Sequence, residues 1–179
     1  MNQKDSGYRV EELIKCHRFH VQRITHSAAD GSELVRDVVR HPGSVVILPL
    51  LDGDRICLIR NHRVAVEKTL IELPAGTREP DEDPAVTASR ELIEETGYRS
   101  SDIREVLAFF AAPGILDERM ILYTASGLTP GQPAREAGEE IENLVVTREE
   151  SRQLIANGSI EDAKTLVGLM WWHANTPES

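Results

Sequence analysis

Short runs of alternating apolar and polar residues predict a series of strands, and a few longer runs carry the helical period. Residues 1–7 show neither pattern and read as disordered. Leu13 to Thr25 predicts a first strand and Glu33 to Arg40 a second, with Asp30-Gly31 between them as a hairpin signal. Ser44 to Leu51 and Arg55 to Arg60 form the next pair, turned at Asp52-Gly53. Leu70 to Leu73, Leu107 to Ala111 and Met120 to Ala125 are further strands. A Gly/Pro loop from Thr129 to Gly138 follows, and Leu144 to Val146 closes the sheet. One helix has both ends marked: Asp83 is a good N-cap, Pro84 sits where a missing N–H costs nothing, and Gly97 can take the left-handed C′ position. Two more helices end the chain. In the second, Ala163, Leu166, Val167, Met170 and Trp171 recur at i, i+3, i+4, i+7 and i+8, which assigns Met170 and Trp171 to the core. The class is α+β, a mixed sheet with helices against it.

Composition narrows the function classes. At 179 residues and 40% apolar, the chain can bury a normal core and reads as one enzyme-sized domain. Cys16 and Cys57 lie far apart in strand-like runs, so they read as buried free thiols rather than a disulfide, which suits a reducing cytoplasm. No signal peptide, internal repeat or apolar run of about 18 residues is apparent, so no membrane association is expected. The net charge of −10 argues against nonspecific binding to a nucleic-acid backbone.

Half of that charge sits in one segment. Gly76 to Gly97 crowds seven acidic residues against two arginines, a net −5. Within its helix, Ala85, Ala88, Leu92 and Ile93 can form an apolar flank, while Glu91, Glu94 and Glu95 share one face at i, i+3 and i+4. Like charges stacked this way cost a helix roughly a few tenths of a kcal/mol per pair. A divalent cation among them turns the cost into a gain, because oxygen-rich clusters suit Mg²⁺ or Mn²⁺. The other reading of these glutamates, taken by themselves, is a solvated acidic face.

The full spacing favours the metal. Gly76-x5-Glu82-x7-Arg90-Glu91-Leu92-x-Glu94-Glu95-x-Gly97 resembles the signature of the Nudix hydrolases at all eight defined positions; Tyr98 departs from the aliphatic residue often found next. The resemblance implies a mixed β-sheet sandwiched by helices and a loop–helix–loop that holds catalytic Mg²⁺, with Mn²⁺ as an alternative. Glu91 and Glu95 carry over as direct ligands with Glu94 beside them, and the carbonyl of Ala75 as a further one. Arg90 and Glu82 would orient the glutamates. The implied reaction is hydrolysis of a diphosphate joined to another group, in which the metal neutralises the phosphates and acidifies a bound water.

The flanks resemble the ADP-ribose pyrophosphatase branch. His41-Pro42-Gly43, Ile59-Arg60-Asn61-His62-Arg63 and Glu72-Leu73-Pro74-Ala75-Gly76 lie upstream of the box; the branch usually has Arg-Gln-Tyr-Arg where this chain has Arg60 to Arg63. Downstream, Pro113 lies sixteen residues after Gly97, and Ala112-Pro113-Gly114 with Glu118 resembles the substrate loop. The segment Gly158 to Ala163 matches as well. This assigns Arg60, Arg63, Glu72, Pro113 and Glu118 to substrate, in keeping with an arginine fork for phosphate or ribose. Each has a plainer reading: surface arginines on a strand, Glu72 paired with one of them, a proline that ends a strand. His41 and His62 have no ligand-like spacing and read as structural. The catalytic glutamate should lie on the loop Arg135 to Ile141. There Glu139 falls on the metal-reaching position, Ala137 occupies the position expected for the carboxylate, and Glu136 and Glu140 stand as other candidates.

The expected reaction is hydrolysis of ADP-ribose to AMP and ribose 5-phosphate. The resemblance also implies a homodimer: residues 1–40 form an N-terminal antiparallel strand extension that dimerises and completes the partner's pocket, and residues 41–179 form the hydrolase domain. Another nucleoside diphosphate sugar such as GDP-mannose, or a ligand sensor without turnover, are the alternatives; the intact box glutamates and the lack of a DNA-binding extension speak against the sensor.

Overall fold

The residues described by the computed structural model, 8–52, 54–135 and 140–175, fall into two units. The first comprises the chain up to Gly43 with Phe110–Arg119, and the second Ser44–Phe109 with Met120 onward.

In the first unit, β1 (Arg9–Lys15), β2 (His20–Ser27) and β3 (Glu33–Arg40) form an antiparallel sheet in that order. The single strand expected over Leu13 to Thr25 is therefore two. Between them the chain reverses at Cys16–Phe19, where the Cys16 N–H donates to the Phe19 carbonyl at 2.9 Å. None of these four residues is Gly, Pro, Asn or Asp, so the turn has no local chemical signal. The β2–β3 turn falls where Asp30-Gly31 predicts it: Gly31 has φ 83°, and the Asp30 carboxylate accepts from the Ser32 N–H at 2.9 Å. Residues 111–118 run along β3, tied by Val39 N–H to Ile115 O at 2.8 Å and by Asp117, whose carboxylate takes Arg40 Nη1 at 2.9 Å and the His41 N–H at 2.8 Å.

The second unit is built on β4 (Ser44–Leu51). Its buried run Val45-Val46-Ile47-Leu48 lacks the alternation of a half-exposed strand because helices cover both faces. Val45 and Ile47 pack with Ala88 and Leu92 of α1 (Pro84–Thr96). Val46 and Leu48 point the other way, into a core shared with Leu169 and Trp172 of α3 (Ala163–Asn175) and Leu154 of α2 (Arg148–Ala156). The strands β5 (Arg55–Arg63), β8 (Arg99–Phe110), β9 (Arg119–Thr129) and β10 (Ile141–Thr147) join β4 in the order β10-β5-β4-β9-β8. The sheet is mixed: β4 runs parallel to β9 and antiparallel to β5. Two short strands branch from it, β6 (Lys68–Glu72) on β5 and β7 (Ala75–Thr77) on β4. The α+β class holds, with a sheet between helices.

Both ends of α1 follow the sequence. Asp83 Oδ1 accepts from the Ala85 N–H at 2.8 Å, Pro84 opens the helix, and Gly97 takes φ 80° with its N–H on the Ile93 carbonyl. The α3 face follows it only in part: Leu166 and Trp171 pack against the core as expected. Met170 is 63% exposed, and the buried positions are Lys164, Thr165, Gly168, Leu169 and Trp172, a stripe offset from the expected one. Gly168 causes the offset: a Cβ there would come within 2.3 Å of Leu73 Cδ1, so the helix lies closest to the sheet along its smallest residue. Cys57 is buried and Cys16, in the β1–β2 turn, is half-buried; both are free thiols. Burial pushes the Cys57 thiol up to about 12. Among the described residues no helix is long and apolar enough to cross a membrane.

Candidate active site

The acidic face of α1 meets the backbone of β7. The Glu95 carboxylate is buried and accepts from the Ala75 N–H at 2.9 Å. Glu91 lies beside the next residue: a Cβ at Gly76 would sit 1.9 Å from Glu91 Cδ, so only glycine lets this carboxyl approach. Strand β7 is itself fixed to β4, with Gly76 opposite Val45 and Ala75 opposite Val46. Two carboxylates one helical turn apart thus converge on Ala75-Gly76.

Arg90 orders the remaining acids. Its Nη1 donates to Glu91 at 2.8 Å and to Glu94 at 2.9 Å, while Nε and Nη2 reach Glu82 at 3.3 and 3.2 Å. Thr87 Oγ1 also donates to Glu82, at 2.9 Å. The Arg90 hydrogen bonds chiefly hold the Glu82 carboxyl down at about 2, and the guanidinium is raised in turn above its ordinary range. Glu94 is therefore turned to Arg90. Among the described residues no group of three or more His, Cys, Asp or Glu side chains is gathered for a metal. Glu139, one of the expected ligands, lies outside the described residues with Glu136 and Ala137.

Residues 134 and 135, which follow β9, are held against the end of α1. The Ala134 N–H donates to the Glu94 carbonyl at 3.0 Å and Arg135 Nε to the Glu95 carbonyl at 3.2 Å. Asn143 Nδ2 donates to the Thr96 carbonyl at 2.8 Å, and its Oδ1 accepts from Arg135 Nη2 at 3.2 Å. Three otherwise unpaired carbonyls at the helix end are satisfied, and the loop begins beside the last two glutamates. Beyond it Glu140 is exposed, and Ile141 pairs with Asn61 on β5. Arg135 and Asn143 gave no sequence signal for this, since their partners are backbone carbonyls some forty residues away.

Arg60 and Arg63, both on β5, have separate partners. Arg60 Nη1 lies 3.4 Å from Glu142 on the adjacent β10. Arg63 donates through Nε and Nη2 to the two oxygens of Glu72, at 2.8 and 2.6 Å. Glu72 is fully buried and also accepts from Lys164 Nζ at 2.5 Å, so its carboxylate faces cations of its own chain. Burial draws the Glu72 carboxyl up, but Arg63 and Lys164 outweigh it and leave it below its usual value. The hydrogen bonds to Glu72 raise Arg63, with Glu95 and Asp162 adding to the field. Pro113 and Glu118 belong to the first unit, where Pro113 lies in the turn following Ala112 and Glu118 stands 3.5 Å from His41 Nδ1. His41 Nδ1 accepts from the Gly43 N–H at 3.1 Å, a structural role as expected, and His62 is exposed.

Comparison with known proteins agrees with this arrangement. The NUDIX domain model matches residues 40–167. An ADP-ribose pyrophosphatase of Bacillus subtilis (strain 168) is 35% identical over 144 residues, covering 79% of this chain and 78% of that protein. A methanol dehydrogenase activator of Bacillus methanolicus is 34% identical over 169 residues, 90% of this chain and 91% of its own. A solved structure described as an ADP compounds hydrolase superposes with a TM-score of 0.80 at 20% identity, covering 97% of this chain and 98% of that one, a likeness of fold. The glutamate helix on its glycine-bearing strand, the match over most of the length and the shared fold make this chain a member of the Nudix hydrolase family.

Proposed function

We propose that this enzyme hydrolyses the diphosphate of ADP-ribose to AMP and ribose 5-phosphate. The reading is supported above all by the convergence of the Glu91 and Glu95 carboxylates on Ala75-Gly76. Two carboxylates and a peptide carbonyl are hard oxygen donors matched to Mg²⁺ or Mn²⁺. Glu91, Glu95 and the Ala75 carbonyl would hold such a cation, and it would neutralise diphosphate charge and acidify a bound water near neutral pH.

The chain's own groups have distinct tasks in this account. Arg90 fixes Glu91 and Glu94 while Glu82 fixes Arg90, so the acids are set before substrate arrives. Arg63 uses two of its five N–H groups on Glu72 and offers the rest to an anion. Arg60 is a further substrate contact on β5, and Pro113 and Glu118 of the first unit carry over from the resemblance as substrate contacts. Glu139, with Glu136 and Glu140 as neighbours, takes the proton of the attacking water from a loop whose start is anchored at Glu94 and Glu95. Glu139→Gln is expected to lower turnover at least about tenfold with unchanged unfolding behaviour; near-normal turnover would reassign the base.

A homodimer belongs to the same proposal. The first unit exposes apolar residues on its strands, including Val10 at 53% and Ile14 at 54%, which a second copy would cover. The free thiols suit a cytoplasmic protein. The substrate is tested by incubating purified protein and Mg²⁺ with ADP-ribose, GDP-mannose and NADH separately, and resolving products by ion exchange. AMP and ribose 5-phosphate should form fastest from ADP-ribose. Preference for GDP-mannose would overturn the substrate, and no turnover of any would favour ligand sensing.

A further inference from the structure

Behind Arg63 lies a buried charge cluster that the reaction as described does not use. Glu72 Oε2 accepts from both Arg63 Nη2 at 2.6 Å and Lys164 Nζ at 2.5 Å. The lysine side chain is 8% exposed, and its Nζ also lies 3.0 Å from Asp162 Oδ2. The same Asp162 oxygen accepts from the Thr165 N–H and from Thr165 Oγ1, and Thr165 Oγ1 accepts from the Leu73 N–H at 2.8 Å. Two acids and two bases balance. The first turn of α3 therefore grips two successive residues of the segment leading to Ala75, one by charge and the next by a hydrogen bond.

The two cations differ in exposure. Lys164 is spent inside the cluster, whereas the Arg63 side chain is 41% exposed and, among the described residues, keeps both N–H groups of Nη1 without a protein partner. A buried carboxylate shared by two cations binds each less tightly than it would bind one alone, and its position is fixed from both sides. We infer that Lys164 is a positioning residue for substrate binding: by holding Glu72 from behind, it sets the guanidinium of Arg63 to present Nη1 to a phosphate of the bound diphosphate. The inference rests on the reading of Arg63 as a substrate contact. Without Lys164, Glu72 and Asp162 would share Arg63 as their cation, and the guanidinium would turn inward.

A double-mutant cycle tests this, run on whichever of ADP-ribose, GDP-mannose and NADH the wild type turns over fastest. The cycle thus does not depend on the substrate named above. Lys164→Met, close in size and uncharged, should raise KM about tenfold, the worth of a charge-assisted contact, with kcat within about threefold. Arg63→Ala should raise KM at least as much. In the Arg63→Ala background, Lys164→Met should raise KM by less than about twofold, because residues acting through one another are not additive. A merely structural lysine would give the same change in both backgrounds. Should Lys164→Met not fold, Lys164→Gln, shorter and still able to donate, carries the same expectation. An unchanged KM for Lys164→Met beside a raised one for Arg63→Ala would overturn this inference alone, as would equal effects in both backgrounds. An unchanged KM for Arg63→Ala would overturn the Arg63 reading and this inference with it.

Discussion

Arg90 is the residue on which the acidic face depends, since one guanidinium meets Glu82, Glu91 and Glu94. Without it the like charges of the box would repel across one helix face. Its tie to Glu82 has a pH signature. The Glu82 carboxyl falls from an ordinary 4.5 to about 2, so its contribution to stability is complete above about pH 4.5 and is lost as pH falls through about 2. The urea midpoint of Glu82→Gln should therefore lie below that of the wild type by a constant amount above about pH 5, and the two should converge toward pH 2. A gap unchanged down to pH 2 would contradict the assignment. These box residues were readable from sequence because a helix turns fixed spacing into a shared face. Lys164 was not, because it meets Glu72 across 92 positions and nothing near either residue marks the other.

The elements followed the sequence wherever local chemistry sets the boundary. Helix α1 begins at an Asp-Pro pair and ends at a glycine with φ 80°, and each signal acts within a few residues. The turn at Cys16–Phe19 has no such residue, so one strand was read where two form. The buried face of α3 depends on what Gly168 touches on another element, which periodicity within the helix cannot convey. Gly97 serves two needs at once. Besides its positive φ, a Cβ there would lie 2.6 Å from the Gly131 carbonyl oxygen, so the end of α1 also seats the segment leading to Ala134 and Arg135. Gly97→Ala should destabilise the fold by about 2 kcal/mol or more in urea unfolding, combining strain with the clash. Gly158 has φ 75° with nothing within 4 Å of a Cβ, and Gly158→Ala should show the strain alone, about 1 kcal/mol. Equal losses would mean that the contact with Gly131 contributes nothing.

At the scale of the whole molecule, the second unit is a sheet with a helix layer on each face, and the box lies where α1 meets β7. The proposed dimer uses the first unit. Light scattering during gel filtration should report twice the chain mass of 19.9 kDa, and Val10→Asp with Ile14→Asp should reduce it to one. A wild-type monomer would contradict the dimer and leave the metal chemistry untouched. That chemistry is most directly tested by the initial rate of AMP release from ADP-ribose as Mg²⁺ is titrated into wild type and Glu95→Gln. Glutamine keeps an oxygen for the Ala75 N–H, so the variant should fold while losing the charge on that donor. The wild-type rate should rise from near zero to saturation with Mg²⁺, and the variant should stay at least about a hundredfold lower at saturating metal. AMP release that ignores Mg²⁺, or a variant as fast as the wild type, would contradict the account.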